Sequence, residues 1–409
     1  MAASCGERRQ NPQAPYNERV DSGGAYLDYA ATTPMRPEAV AAMEPFLHGT
    51  FGNPSGGHAA ARAAKTALEA AREEIAELLG ARPAEVVFTA GGTEADNLAV
   101  KGVARAARAA RGGDLVVTAA FEHKGVLAAA DRLGRDGFRT TFVAARPDGV
   151  VDVDALLDAV DERTALVSLM LVNNEVGTIQ PVEEVAARVR ALAPSALVHT
   201  DAVQAVPWLD VAPAAAAADL VAISAHKFGG PKGTGALVVR NGVALEPLIE
   251  GGGQEGGLRS GTSNVAGVVA MAAALRATTE SRDAEVVRIA RLRDRLVDGL
   301  GATIPDTFEN GDRARKVAGN AHVRFRGVEA ETLLVALDHM GLCAAAGSSC
   351  SSGATEPSHV LAAMGLPRAD ALASIRLSLG FASTEADVDI ALDVIPAAVA
   401  RLRRAGAAA

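Results

Sequence analysis

The sequence predicts an α/β fold in which a large domain with a mainly parallel sheet is followed by a smaller α+β C-terminal domain. Three observations lead there. Short apolar runs at residues 85–89, 114–118, 164–170 and 196–200 alternate with helix-like segments, which implies a parallel sheet with helices on both faces. Each run is followed by polar residues suited to ligand binding, and open parallel sheets bind ligands beyond the carboxyl ends of their strands. After about Asn264 the pattern changes to a long helical region and then to alternating strands.

Taken in order, residues 1–24 mix Asn, Gln, Pro, Arg and Gly without periodicity and read as a flexible tail. From 62 to 79 the apolar positions recur at helical spacing, with Gly80 as the C-cap. The large domain spans 25–264, and its first residues are candidates to pack on the small domain. The small domain, 265–409, opens with helical segments at 265–275 and 283–300. Alternating strands follow at 320–325 and 374–379, the second setting Arg376 between apolar neighbours. Alanine-rich stretches read as helix surface. No repeat of solenoid period is present.

Composition narrows the function classes. Hydrophobic residues make up 49% and charged residues 22% of 409, so disorder is excluded for most of the length. A net charge of −9 offers no uniform basic field, which argues against a direct nucleic-acid partner. The sequence has neither a long uncharged apolar stretch nor a signal-type start, and three cysteines cannot form a disulfide framework. The expectation is a cytoplasmic protein without membrane contact.

Lys227 ends the run Ser224-Ala225-His226-Lys227 where an apolar strand opens into a glycine-rich loop. An amine at such a partly desolvated rim has a lowered pKa and is free to form an imine. Asp201 closes the apolar run 196–200, and an aspartate facing a pyridinium nitrogen is what a lysine-bound pyridoxal phosphate requires. Lysine and aspartate together point to pyridoxal 5'-phosphate.

Other run ends supply further candidates. Gly91-Gly92-Thr93 offers backbone N–H groups and a hydroxyl to a phosphate, although the same turn also suits a plain helix start. His123 is placed to stack on a cofactor ring and shuttle protons, or is a loop histidine. Asn174 and Gln204 are donors for the same ring, or helix caps. The stretch 251–262 reads either as a linker or, because it carries Arg259 and ends at Thr262, as an oxyanion-binding loop.

The cysteines differ in kind. Cys350 lies in a small-residue loop with nothing to bury it, a setting for a reactive thiol. Cys343 reads as a small buried hydrophobe. His339, Cys343, Cys350 and His359 match no common zinc spacing, and no metal is expected.

Together, Tyr26-Leu27-Asp28-Tyr29-Ala30-Ala31-Thr32-Thr33-Pro34, Gly52-Asn53-Pro54-Ser55, Gly91 to Asn97, Glu122-His123, Asn173-Asn174-Glu175, Asp201-Ala202-Val203-Gln204, Ser224 to Lys227 and Arg259-Ser260-Gly261-Thr262 resemble the cysteine desulfurases. The resemblance runs from about Ala25 to Arg404. It implies the aspartate-aminotransferase-like fold of pyridoxal phosphate enzymes (fold type I, class V) and a homodimer acting on L-cysteine. Lys227 is then similar to the Schiff-base lysine, Asp201 to the pyridinium partner and His123 to the stacking acid/base. Gln204 and Asn174 resemble donors to the phenolic oxygen.

Gly92, Thr93, Ser224 and His226 resemble the phosphate-binding set, and Thr262 the residue given to the neighbouring subunit's phosphate site. Arg376, with Asn174, resembles the anchor of the substrate carboxylate. Cys350 resembles the sulfur-accepting cysteine of the long-loop members. Such members pass sulfur to acceptor proteins, an iron-sulfur scaffold or thiolation enzymes. Gln254-Glu255-Gly256-Gly257 departs from the His-Glu-Arg-Gly of many relatives. A selenocysteine lyase, or another enzyme of the same class, is the alternative reading, and a non-enzymatic scaffold is a third.

Overall fold

The computed structural model describes residues 24–347 and 356–407. The N-terminal tail up to residue 23, and Cys350 with its loop, lie outside the described residues.

The buried centre is a seven-stranded sheet. Its strands are β2 (Val86–Thr89), β3 (Leu115–Ala119), β4 (Arg139–Val143), β5 (Thr164–Ser168), β6 (Leu197–Asp201), β7 (Leu220–Ser224) and β8 (Gly235–Val239). They lie in the order β2-β8-β7-β6-β5-β3-β4. All pairs are parallel except those of β8, which runs antiparallel to both neighbours. The apolar runs read from the sequence are the strands buried on both faces, as expected when helices cover both sides. Two strands escaped that reading. Among the described residues β4 pairs only with β3, and its Arg-Thr-Thr-Phe-Val sequence is mostly half-buried or exposed, so an edge strand carries no apolar run. β8 begins inside the glycine-rich stretch after Lys227, whose composition signals a loop.

The helix expected over 62–79 spans Ala59–Leu78, and Gly80 follows its end at a φ of +60°, the left-handed conformation that glycine accepts without strain. Alanine-rich helices are not simply surface. Ala61, Ala64, Ala71, Ala76, Ala95, Ala99 and Ala104 are all buried. Their small side chains let helices lie close against the sheet and against each other, so these positions correct the surface reading.

A second apolar core surrounds a three-stranded antiparallel sheet, ordered β12-β10-β9, of β9 (Thr307–Glu309), β10 (Asn320–Phe325) and β12 (Ser374–Ser378). The helix Glu385–Ala407 contributes Val388, Ala391 and Ile395 to it. The chain start joins it too: β1 (Ala25–Tyr26) pairs in parallel with β11 (Leu342–Cys343), and Leu27 is fully buried there. Cys343 is half-buried rather than buried, because it sits in this short outer pair.

The two segments expected at 265–275 and 283–300 form one helix, Val265–Thr303. Val268, Met271 and Leu275 enter the first core, and Leu292, Leu296 and Leu300 enter the second. The polar stretch between them is the crossing from one core to the other, which breaks the apolar pattern but not the helix. At that crossing Thr278 Oγ1 donates to the Phe228 carbonyl at 3.0 Å, so the helix grips the residue after Lys227.

The glycine-rich stretch 251–262 is pinned rather than slack. Glu255, at a φ of +51°, accepts from the Arg72 guanidinium at 2.7 and 3.0 Å and from the Phe88 N–H at 3.0 Å. Replacing Glu255 with Ala removes three charge-assisted bonds and is expected to cost about 2–3 kcal/mol of unfolding free energy. The half-exposed partner Glu69 is expected to cost under ~1 kcal/mol when replaced by Ala. Denaturant titration at fixed protein concentration measures both, and equal losses would contradict this account of the loop.

Candidate functional site

A cavity of ≈ 250 Å³ opens at the carboxyl ends of the parallel strands. Its lining includes Lys227, Asp201, His123, Asn174, Gln204 and Arg376. At one end it also takes in Gly92, Thr93, Ser224 and His226. Residues spread over nearly three hundred positions of sequence thus meet because each lies on, ends or follows a strand of one sheet or the other.

Asp201 is the last residue of β6 and is 5% exposed. Its Oδ1 accepts from the Val203 N–H at 2.8 Å. Burial pushes its pKa up, and the fields of His123 and Lys227 and that N–H oppose the shift. His123 caps the helix Lys124–Arg135 by accepting from the Gly125 N–H at its Nδ1, 3.1 Å away. The remaining proton of the neutral ring is therefore on Nε2. Burial holds His123 below its ordinary pKa, so the neutral form dominates near pH 7.

Lys227 Nζ donates to the carbonyls of Ala30 (2.6 Å) and Ala31 (2.8 Å), and the Gln204 amide donates to the same Ala30 oxygen at 2.8 Å. Arg376 is 2% exposed on β12. Its guanidinium donates to the Asn174 carbonyl at 2.8 Å and to Asp28 Oδ1 at 2.9 Å, while Nε has no hydrogen-bond partner among the described residues. His226 Nδ1 lies 3.1 Å from Thr32 Oγ1, and burial brings its pKa down to about 4, keeping it neutral.

Not every sequence candidate converges here. Thr262 is exposed and does not line this cavity or the open mouth beside it. Arg259, expected at an oxyanion, is satisfied within the chain by Glu94, with Nε to Oε1 at 2.8 Å. Cys350 lies outside the described residues. The described residues on either side of its loop, Gly347 and Ser358, both sit against the buried Glu175 carboxylate, to which Ser358 donates a hydrogen bond.

Three groups were not singled out from the sequence. Asp96, on the first turns of the helix Gly92–Arg111, is 1% exposed and lines the cavity. Burial first, then Asp201 and Glu122, push its pKa well above the ordinary value. His199 is fully buried and bonded to Ser168 Oγ at 2.9 Å, and burial brings its pKa down to about 3. His199 precedes Asp201 by two on a strand and so shares its face, a period-2 signal present in the sequence. Asp28 had no signal of its own, because its partner Arg376 lies 348 residues away.

The residues fit a flat, phosphate-bearing pyridine ring. A carboxylate stands ready for a ring nitrogen, and the buried Asn174 Oδ1 has no hydrogen-bond partner among the described residues. At the other end a helix begins at Gly92, where an added Cβ would stand 2.8 Å from Val203 Cγ2. Helix N-termini of this kind hold phosphate through backbone N–H groups.

The chain matches the class-V aminotransferase family model over residues 25–391. It is 48% identical over 390 residues to an IscS-like cysteine desulfurase of Mycobacterium tuberculosis, covering 94% of this chain and 98% of that protein. Among solved structures it is similar to a NifS-like protein, with a TM-score of 0.87 and 36% identity over 92% of this chain and 100% of the other. It is also similar to SspA in complex with cysteine, with a TM-score of 0.77 and 33% identity over 87% and 99% of the two chains.

The buried histidine sets a pH dependence. An unfolded chain protonates His199 near 6.5 and the folded protein only near 3. Between those values the unfolded state binds more protons, so this residue makes stability fall as pH drops. His199→Gln is expected to narrow the difference in urea midpoint between about pH 7 and about pH 4.5. An unchanged difference would show that His199 is not held neutral.

Proposed function

Because the chain belongs to the class V aminotransferase family, and within it to the pyridoxal phosphate-dependent cysteine desulfurases, we propose that Lys227, Asp201, His123, Arg376 and Cys350 divide the reaction among them. The protein is a cysteine desulfurase: it converts L-cysteine to L-alanine and leaves sulfur on an enzyme cysteine. The observation that carries the assignment of residues is the convergence of Lys227, Asp201, His123 and Arg376 on one cavity.

Pyridoxal phosphate, when bound, supplies an electron-poor ring that stabilises negative charge at the α-carbon of an attached amino acid. Asp201 holds the ring nitrogen in its protonated form, and Asn174 and Gln204 donate to the ring's phenolic oxygen. Gly92, Thr93, Ser224 and His226 hold the phosphate. Lys227 would carry the cofactor covalently, and its free Nζ would remove the substrate's α-proton. Arg376 binds the substrate carboxylate with help from Asn174. Its buried Nε, unpaired among the described residues, supports that role, since an uncompensated buried donor is costly.

His123 serves as the acid/base that moves the thiol protons. The Cys350 thiolate then attacks the substrate sulfur, forming an S–S bond as the substrate C–S bond breaks and its electron pair returns to carbon. The products are alanine and a Cys350 persulfide, whose terminal sulfur passes to acceptor proteins of iron-sulfur assembly or thiolation.

The working unit is a homodimer in the cytoplasm, with a large cofactor-binding lobe at 25–264 and a small lobe at 265–409. Thr262 of each chain completes the partner's phosphate site. Exposure of Thr262 away from its own cavity supports this, as do the exposed apolar side chains Val40, Leu47 and Phe51 (74% exposed). Among the described residues no helix is long and apolar enough to cross a membrane.

Cys350→Ala is expected to keep the visible absorbance of the bound cofactor and lose alanine release, whereas Lys227→Ala loses both. Mass spectrometry of the native protein after exposure to L-cysteine should find an added sulfur atom on the peptide containing Cys350. Alanine release at the native rate by Cys350→Ala would refute the assignment. For the assembly, Phe51→Glu is expected to shift sedimentation from dimer towards monomer; an unaltered dimer would remove Phe51 from the interface.

A further inference from the structure

We propose that Asp96 is a positioning residue that remains a neutral carboxylic acid beside the Asp201 carboxylate, so that this end of the cavity carries one negative charge instead of two. This deepens the cofactor assignment above and rests on it.

Neither Asp96 oxygen has a hydrogen-bond partner among the described residues. Oδ1 stands 3.7 Å from His199 Nε2, and Oδ2 stands 3.9 Å from His123 Nδ1. Ligand atoms of Asp96, His123 and Asp201 all fall within 4.8 Å of one another. Among the described residues, the titratable groups that face Asp96 directly come from two elements. Asp201 and His199 lie on β6, and Glu122 and His123 lead into the helix Lys124–Arg135. Lys227 acts on the group through Asp201 and His123.

None of these neutralises an ionised Asp96. His199 is enclosed and uncharged, and His123 Nδ1 is already occupied as the acceptor of the Gly125 N–H. Glu122 is fully buried and accepts from the Met170 N–H at 2.6 Å, so it adds only like charge or none. Two carboxylates this close, out of water, do not both ionise, and such a pair holds one proton between them. The proton belongs on Asp96. Asp201 has the Val203 N–H and the field of Lys227 to favour its charged form, whereas neither Asp96 oxygen has a hydrogen-bond partner among the described residues.

The consequence reaches the reaction through Asp201. With Asp96 neutral, a single carboxylate balances a single protonated ring nitrogen. An ionised Asp96 would raise the proton affinity of every group in the cavity, including His123, whose role requires a neutral imidazole near pH 7.

The test is infrared spectroscopy of the holoenzyme carrying isotopically labelled aspartate, without substrate, at neutral pH. A carbonyl stretch of a neutral aspartic acid is expected, and it should vanish in Asp96→Asn. If no neutral-aspartic-acid band appears in the native protein, the proposal fails, and that outcome needs no variant. The second readout is the pH at which the bound cofactor's absorbance changes. Asn matches a neutral carboxyl in shape and charge, so Asp96→Asn should leave that pH in place. A downward shift of about one unit or more would mean that a negative charge had been removed, overturning the proposal. Neither readout depends on turnover, so they stand apart from any failure of the desulfurase assignment.

Discussion

The structure depends on keeping one carboxylate charged where water hardly reaches. Asp201 ends a strand buried on both faces, and burial alone would drive a proton onto it. The backbone N–H of Val203, two residues on, opposes that, as does the field of Lys227. The sheet makes this possible. β5, β6 and β7 run parallel, so their carboxyl ends open on one side, and chain leaving them supplies Asn174, Gln204 and Lys227 to the same space.

The segment from Tyr26 to Arg36 is the clasp on this arrangement. Leu27 is buried in the second core, while Asp28 pairs with Arg376 on β12. The next carbonyls, of Ala30 and Ala31, hold Lys227 and Gln204. Thr33 donates from both backbone and side chain to the His226 carbonyl, and the Arg36 N–H reaches the Gly229 carbonyl at 2.8 Å. One strip of chain therefore fixes the lysine, the arginine and the two cores relative to one another. The helix Val265–Thr303 repeats that coupling from the other side, because it builds both cores and bonds to Phe228. A site between two cores is held to tolerance in this way without one continuous core.

The central strands were legible because burial on both faces requires unbroken apolar runs, and their ends marked Asp201, Lys227, His123 and Asn174. Legibility failed where another demand shaped the residues. β4 is an edge strand and stays polar; β8 starts in glycine; the crossing at 276–282 is polar although it is helical. Asp96 was invisible for a different reason. An acid near a helix N-terminus is commonplace, favoured by the helix dipole, so nothing in the local sequence separates it from a surface residue. Only the tertiary placement of β6 beside that helix turns it into a buried neighbour of Asp201. Arg259 shows the converse error: a guanidinium in a glycine loop resembles an oxyanion clamp, yet Glu94 already occupies it.

The central claim, that Asp201 acts on the reaction through the ring nitrogen, is open to one direct measurement. Alanine release is compared for four combinations: native protein or Asp201→Asn, each reconstituted with pyridoxal phosphate or with an analogue bearing carbon in place of the ring nitrogen. If the carboxylate acts only through that nitrogen, each single change lowers the rate and the combined change lowers it little further, a coupling rather than a product of two losses. Losses that multiply would contradict the account, because the carboxylate would then be acting on something other than the nitrogen.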